Sequence, residues 1–402
     1  MKTRILTIVC LVCAGVLAAN AQVKKRPAAK RPAATAAKKP AAAKVNNKFA
    51  ILQLDEWIKH ELFEDEENIY FLGISHSENA LRALNKKTGD IKLVVPKKRR
   101  ARPQICCAGS DGKNIYMRLE DKGIIRFNGT DVNTSEMILK QGDFLSSSNR
   151  GSKIITSPDG RYVSLAGDGV LVYDTVIKRV IRNNGKGTYN SDGSLLMLND
   201  GTVIKTCPSS LVFIKPQLIP LPEANSMSKN NLMNTDEYDI RKIGNGGGGE
   251  VREVIYDQVD TVLYASFGEQ VLKTRADKIA WTEAYCLPGE NKKFMHIAVF
   301  GNHAIGETDN YEKHFYLWDS KDFTGQPTIL KELDTEIGTP QKWTGLVNPE
   351  KVSNVQHFFT DSMSNLWIQV DDGRFVIYNP DGIKGLTSLI GKVTENKLPE
   401  DD

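Results

Sequence analysis

Acidic side chains are the residues of this sequence best able to do chemistry, and they recur at intervals along it: Glu120 with Asp121, Asp168, Asp200, Glu269, Asp309, Glu312, and Asp371 with Asp372. Two carboxyl groups, one protonated and one ionised, can cleave a glycosidic bond. A polysaccharide lyase or glycoside hydrolase is therefore one function these residues admit, although acids in nearly every segment single out no pair. Other catalytic signals are poor. His60, His76, His296, His303, His314 and His357 show no metal-ligand spacing such as H-E-x-x-H, and no G-x-S-x-G elbow occurs. The run Gly244–Gly249 lacks the Lys-Ser/Thr ending of a phosphate loop and leads into VREVIY, so it reads as a hinge. No cofactor and no metal is expected. What remains suits binding: Lys97, Arg99 and Arg100 in a basic run for an anion, Tyr238 and Trp343 as stacking surfaces, and Asp168, Asp371 and Asp372 facing whatever is bound.

The elements that must position these residues are short strands. Phe358 to Pro380, FFTDSMSNLWIQVDDGRFVIYNP, holds three apolar runs separated by polar turns at Asp361–Asn365 and Asp371–Gly373, the pattern of a β-meander. It recurs from Phe49 onward at just under ~50 residues, a spacing typical of propeller blades. Each unit reads as four strands, a to d, with an Asp/Ser/Gly/Asn turn between a and b and a turn that usually ends in Gly between b and c. Seven such units predict an all-β fold, a single seven-bladed β-propeller over residues 49–392, with eight blades if residues 215–250 hide another. In the fourth unit, GTYNSDGS, LLMLNDG, TVIKTCPS and LVFIKP are read as strands a to d, which leaves Lys215–Glu250 as a d–a loop. In the seventh, Leu386–Ile390 is read as strand d, with Phe49–Leu54 as a further strand that could close the ring. The b–c and d–a connections of a propeller open on one face. The acids, the basic run, Tyr238 and Trp343 are assigned there, and Asp361 to the opposite face, with Trp367 in the core.

The N-terminus is organised differently. Lys2 and Arg4 precede an uncharged run, Ile5–Ala18, and Ala19-Asn-Ala21 has the small-x-small form of a cleavage site, so residues 1–21 read as a secretory signal peptide. Residues 22–48 hold nine Lys or Arg and no acid, and are read as a disordered Lys/Ala/Pro-rich linker. Eleven of the 53 basic residues, and none of the 49 acids, lie in residues 1–48, so the body carries −7 although the whole chain carries +4. Such a linker on an exported body suits an anionic surface or a simple spacer, and makes nucleic acid an improbable partner. Residues 393–402 form an acidic tail. Cys106, Cys107, Cys207 and Cys286 allow three pairings and carry no zinc spacing.

Asp361, Asn365, Leu366, Trp367, Ile368 and Gly373 resemble the repeat of two-component-regulator-type propellers, D-x-x-G-N-L-W-I-G-T…G-L, with Ser364 and Gln369 in place of its first two glycines. Trp318-Asp319 is similar to the ending of a WD40 unit, without its Gly-His lead. Signal, linker and regulator-like blades together resemble secreted or periplasmic propellers of the Bacteroides group. The resemblance implies an exported, non-catalytic binding or sensing module that meets a glycan or protein at the cell envelope without spanning the membrane.

Overall fold

The structure is a computed structural model that describes residues 47–53, 62–75, 78–96, 105–120, 122–140, 153–166, 170–184, 194–207, 210–216, 238–242, 251–258, 260–276, 282–286, 293–308, 314–322, 326–337, 355–370 and 374–386, with the short pieces 5–6, 8–9 and 396–397. Strands end where an Asp can take over the backbone's hydrogen bonds. In the first turn of blade seven, Asp361 Oδ1 accepts the amides of Met363 (3.0 Å) and Asn365 (2.8 Å), while Oδ2 accepts Asn365 Nδ2 and Trp367 Nε1, both at 2.9 Å. Blade two repeats the device. Asp111 accepts the amides of Lys113 and Asn114, and its second oxygen accepts Asn114 Nδ2 and the Tyr116 hydroxyl at 2.8 Å. In blade one Asp65 does the same for Glu67, Asn68 and the Tyr70 hydroxyl. Each carboxylate thus ties the turn to an aromatic ring two residues after the Asn, and so to the blade interior.

Seven antiparallel sheets follow in chain order, six with their strands arranged sequentially and the seventh with its outer strand supplied from the beginning of the propeller. From the inner strand outward they are Phe63–Glu64, Asn68–Ser75, Glu78–Asn85 and Ile91–Val95; Ile105–Ser110, Asn114–Leu119, Gly123–Asn128 and Glu136–Lys140; Lys153–Thr156, Tyr162–Ala166, Val170–Asp174 and Arg179–Asn184; Leu195–Met197, Val203–Cys207, Ser210–Ile214 and Tyr238–Lys242; Val251–Asp257, Val262–Phe267, Gln270–Arg275 and Thr282–Cys286; Phe294–Phe300, His303–Thr308, Phe315–Asp319 and Thr328–Ile329; Val355–Thr360, Leu366–Val370, Arg374–Tyr378 and Phe49–Gln53. The ring closes with that last strand, which pairs with blade seven's third strand from Phe49↔Tyr378 to Gln53↔Arg374. Phe49–Gln53, and not Leu386–Ile390, is therefore the outer strand of blade seven. Leu386 is buried in the seam beside it, and residues 387–390 lie outside the described residues. In the whole chain Ile8–Val9 lies along the outer edge of this sheet.

Blade four corrects the sequence reading by one strand. Its a–b turn is Asn199-Asp200-Gly201, closed by Leu198 N–H to Thr202 (2.9 Å), with Gly201 at φ 83°. The inner strand is therefore Leu195–Met197, and the long insertion joins the third strand to the outer one. Both SDG at 191–193 and NDG at 199–201 carry the turn signal, and the four-residue apolar run between them, Leu195–Leu198, fits either register. A helix, Lys331–Ile337, follows the outer strand of blade six. It packs Leu333 and Ile337 between blades six and seven.

Seven hydrophobic clusters fill the seven seams between neighbouring blades. Both faces of every sheet are thereby buried, which makes radial repetition stable. Trp367 is 0 % exposed in the seam between blades seven and one, as expected. Polar fasteners cross the same seam: Glu64 accepts the Ser362 amide (2.6 Å) and pairs with Lys86 (2.6 Å). Inner strands approach so closely that a Cβ at Gly109 would stand 2.6 Å from the Ile154 carbonyl oxygen of the next blade. Gly109→Ala is expected to cost about 1–3 kcal/mol by overpacking, read as a lower midpoint in urea unfolding.

Candidate functional site

In four blades the inner strand carries a β-bulge near its start, at the end where the b–c and d–a connections leave the sheet. The register shifts between Ile105 and Cys107, Val251 and Val254, Phe294 and His296, and Val355 and His357. A bulge breaks the ladder and re-aims side chains, and it is favoured beside functional sites. Across from these four bulges the second strand presents Arg118, Ser266, Glu307 and Gln369, all buried. Blade four, without a bulge, places buried Lys205 opposite Leu195. Lys153, Arg252, His296 and His357 add half-buried polar groups from the inner strands. A polar ring therefore surrounds one mouth of the propeller, in a molecule whose seams are otherwise apolar.

Part of this polarity serves the backbone. The Glu253 amide, freed by the bulge, donates to Ser266 Oγ at 3.0 Å, and Glu253 Oε2 in turn accepts the Ile297 amide of the next blade at 2.7 Å. His296 Nδ1 stands 3.8 Å from the same oxygen, its ring against Phe358. Burial pushes the Glu253 carboxyl up to about 8; the Ile297 amide and the Lys153 charge oppose the shift, and the Glu307 carboxylate adds to it. Lys153 belongs to blade three and Glu253 to blade five, so charges interact around the ring. On the same end, His314 Nδ1 lies 2.8 Å from Asp334 Oδ2, while Asp334 Oδ1 accepts the Phe315 amide at 3.1 Å. Cations on blades two to five (Arg118, Lys153, Lys205, Arg252) thus stand beside acids and imidazoles on blades five to seven. This bipolar arrangement suits a ligand carrying both donors and acceptors.

Glu120 and Glu269 lie in b–c turns as expected. Asp168, between Ala166 and Val170, and Asp371 and Asp372, between Val370 and Arg374, belong to b–c connections but lie outside the described residues. So do Lys97, Arg99 and Arg100, which follow the outer strand of blade one, and Trp343, as well as Asp121, Asp309 and Glu312. Two placements are corrected by the shift in blade four. Asp200 sits in an a–b turn, its carboxylate accepting the Thr202 amide. Tyr238 begins an outer strand opposite Ile214, the last residue of the third strand, and so lies at the other end of the molecule. Asp361 is at that other end, as expected, and is 3 % exposed. His303 is there too, 3.0 Å from Asp381 and joining blades six and seven. The ring itself was missed in the sequence; the signal that could have found it is a polar residue two to five places before each b–c turn, where an apolar one is expected.

The fold and this ring define a seven-bladed β-propeller with a polar mouth. By sequence the chain matches no family model and no curated protein. By structure it is similar to the extracellular domain of a putative hybrid two component system, BT4673, of B. thetaiotaomicron (TM-score 0.52, 13% identity, 82% of this chain). The chain spans 39% of that domain's length. It is also similar to YCF48 from Cyanidioschyzon merolae (TM-score 0.52, 9% identity, 84% of this chain and 100% of the other) and to YCF48 bound to D1 peptide (TM-score 0.54, 11% identity, 83% and 97%). These likenesses show the β-propeller fold. Among the described residues no helix is long and apolar enough to cross a membrane.

Proposed function

We propose that this protein is an exported, non-catalytic β-propeller that binds a protein partner or glycan at the bacterial cell envelope through the ringed end. The observation that carries this reading is the set of four inner-strand bulges faced by Arg118, Ser266, Glu307 and Gln369. Export is supported by the signal-like residues 1–21 and by the extracellular setting of the BT4673 domain. Binding of a protein segment is supported by the peptide complex of YCF48. Capture from envelope extracts, with a glycan array beside it, tests the reading on the chain recovered after export. Lys153→Ala with Arg252→Ala is expected to weaken the captured ligand by about tenfold or more, the scale of losing charge-assisted hydrogen bonds. Replacing Lys97, Arg99 and Arg100 by Ala should weaken an anionic glycan or partner further; unchanged binding would remove those three from the site.

A second reading, a carbohydrate-active enzyme, draws on Glu253, whose carboxyl is raised chiefly by burial, with the neighbouring Glu307 carboxylate adding to the shift, on the ligand end. Turnover of an acidic polysaccharide that Glu253→Gln or Glu307→Gln abolishes would establish it over the binding module.

A further inference from the structure

At the end opposite the ring, blade three exposes two apolar side chains at the tip of a tight turn: Val176 is 70% exposed and Ile177 52%. Asp174 builds the turn. Its Oδ1 accepts the amides of Val176 (2.9 Å) and Ile177 (3.2 Å), and its Oδ2 accepts Arg161 Nε (3.1 Å) and Nη2 (2.9 Å). The chain then passes through a left-handed residue, Lys178 at φ 53°. Blade one makes the same turn with polar residues: Asn85 Oδ1 accepts the amides of Lys87 and Thr88 at 3.0 Å, and the left-handed position is Gly89 at φ 76°. Turn geometry thus asks for polar residues and a glycine. Blade three places two β-branched apolar residues in water and a lysine where glycine is easiest, against local preference. Neither Val176 nor Ile177 belongs to any seam cluster. A local rule broken with no packing return marks a functional position.

The surroundings indicate what the tip meets. Lys178 and Arg179 flank it, both exposed. The nine-cation, acid-free sequence of residues 22–48 joins the propeller at this same end: Phe49 pairs with Tyr378, where blade seven's third strand finishes. Residues 47 and 48 are held there, the Asn47 and Lys48 carbonyls accepting the amides of Ile383 (2.8 Å) and Asn379 (3.0 Å). An apolar tip rimmed by cations is the chemistry of a membrane interface, where apolar groups enter the headgroup boundary and lysines meet phosphates.

We propose that this end of the propeller docks on an anionic phospholipid bilayer, with Val176 and Ile177 entering the headgroup–acyl boundary and Lys178 and Arg179 meeting the lipid phosphates. The docking end is opposite the polar ring, so the ring variants above should leave it unchanged, and failure of one reading is distinguishable from failure of the other. The test is co-sedimentation of the chain recovered after export with phosphatidylcholine vesicles, with and without phosphatidylglycerol. Wild type is expected to bind the phosphatidylglycerol vesicles, less in high salt, and the Val176→Ser, Ile177→Ser double variant to bind them about tenfold more weakly. A single Ile177→Trp variant adds an indole whose fluorescence brominated lipid should quench beyond the wild-type level. Vesicle binding equal to wild type in the double variant, or no added quenching, would overturn the proposal. So would the capture of an envelope protein that needs Val176 and Ile177 while wild type ignores both kinds of vesicle.

Discussion

Asp361→Ala is expected to lower the free energy of unfolding by roughly 3–5 kcal/mol, the range for uncovering several buried hydrogen-bonding groups at once. The carboxylate accepts four hydrogen bonds, two from amides and two from the Asn365 and Trp367 side chains, at 2.8–3.0 Å. Without it Trp367 Nε1 is left facing an apolar seam, and the Asn365 side chain keeps only its links to Lys384 and Asn379. The damage reaches the ring closure, because Trp367 packs against Phe375 and Phe71 where blade seven meets blade one. Asp111→Ala should cost less, since Tyr116 keeps its contacts within one seam and its turn is nearer solvent. Urea unfolding of the two variants beside wild type checks both; equal and small losses would mean that the turns hold without their carboxylates.

That motif shows how far the sequence could be read. The Asp-to-Asn turn is legible because its chemistry is local: an Asp side chain bonds amides two and three or four residues on, whatever surrounds it. Strand order and the number of blades were legible for the same reason, through turn spacing. Blade four was not, because SDG at 191–193 and NDG at 199–201 are locally equivalent. Only packing decides between them, with Gly201 against the Tyr162 ring of blade three and Pro216. The outer strand of blade seven was legible only as an option, since its partner lies over 300 residues away. The polar ring was the least legible feature. Arg118, Glu307 and Gln369 read as ordinary polar positions in a strand until the pairing of inner and second strands, with its bulges, sets them at corresponding places in successive blades. Conversely, Lys97, Arg99, Arg100 and Trp343 were easy to notice for their residue types, which fix no position in space.

The ring should make stability depend on pH through Glu253. Its carboxyl is raised from 4.5 to about 8, chiefly by burial, with the nearby Glu307 carboxylate adding to the shift. The unfolded chain therefore releases this proton near pH 4.5 and the folded chain only near pH 8. Between those values the folded state binds more protons, so the contribution is complete below the lower value, falls as pH rises, and is lost above the upper one. Glu253→Gln removes the titration while its carbonyl oxygen still accepts the Ile297 amide. The variant is expected to match wild type at pH 5 and to exceed it by about 3–5 kcal/mol at pH 9. Glu253→Ala should instead lose stability at every pH, since the Ile297 amide is then left without its acceptor. Urea unfolding across pH 5–9 separates the three chains, and parallel curves for wild type and Glu253→Gln would show that the buried carboxyl is not what titrates. The same shift bears on binding. With Glu253 neutral near pH 7, the mouth's charge is dominated by Lys153, Lys205, Arg118 and Arg252, which favours an anionic group on the ligand. Raising the pH through 8 restores the carboxylate and should weaken that group's hold, an effect that Glu253→Gln would erase.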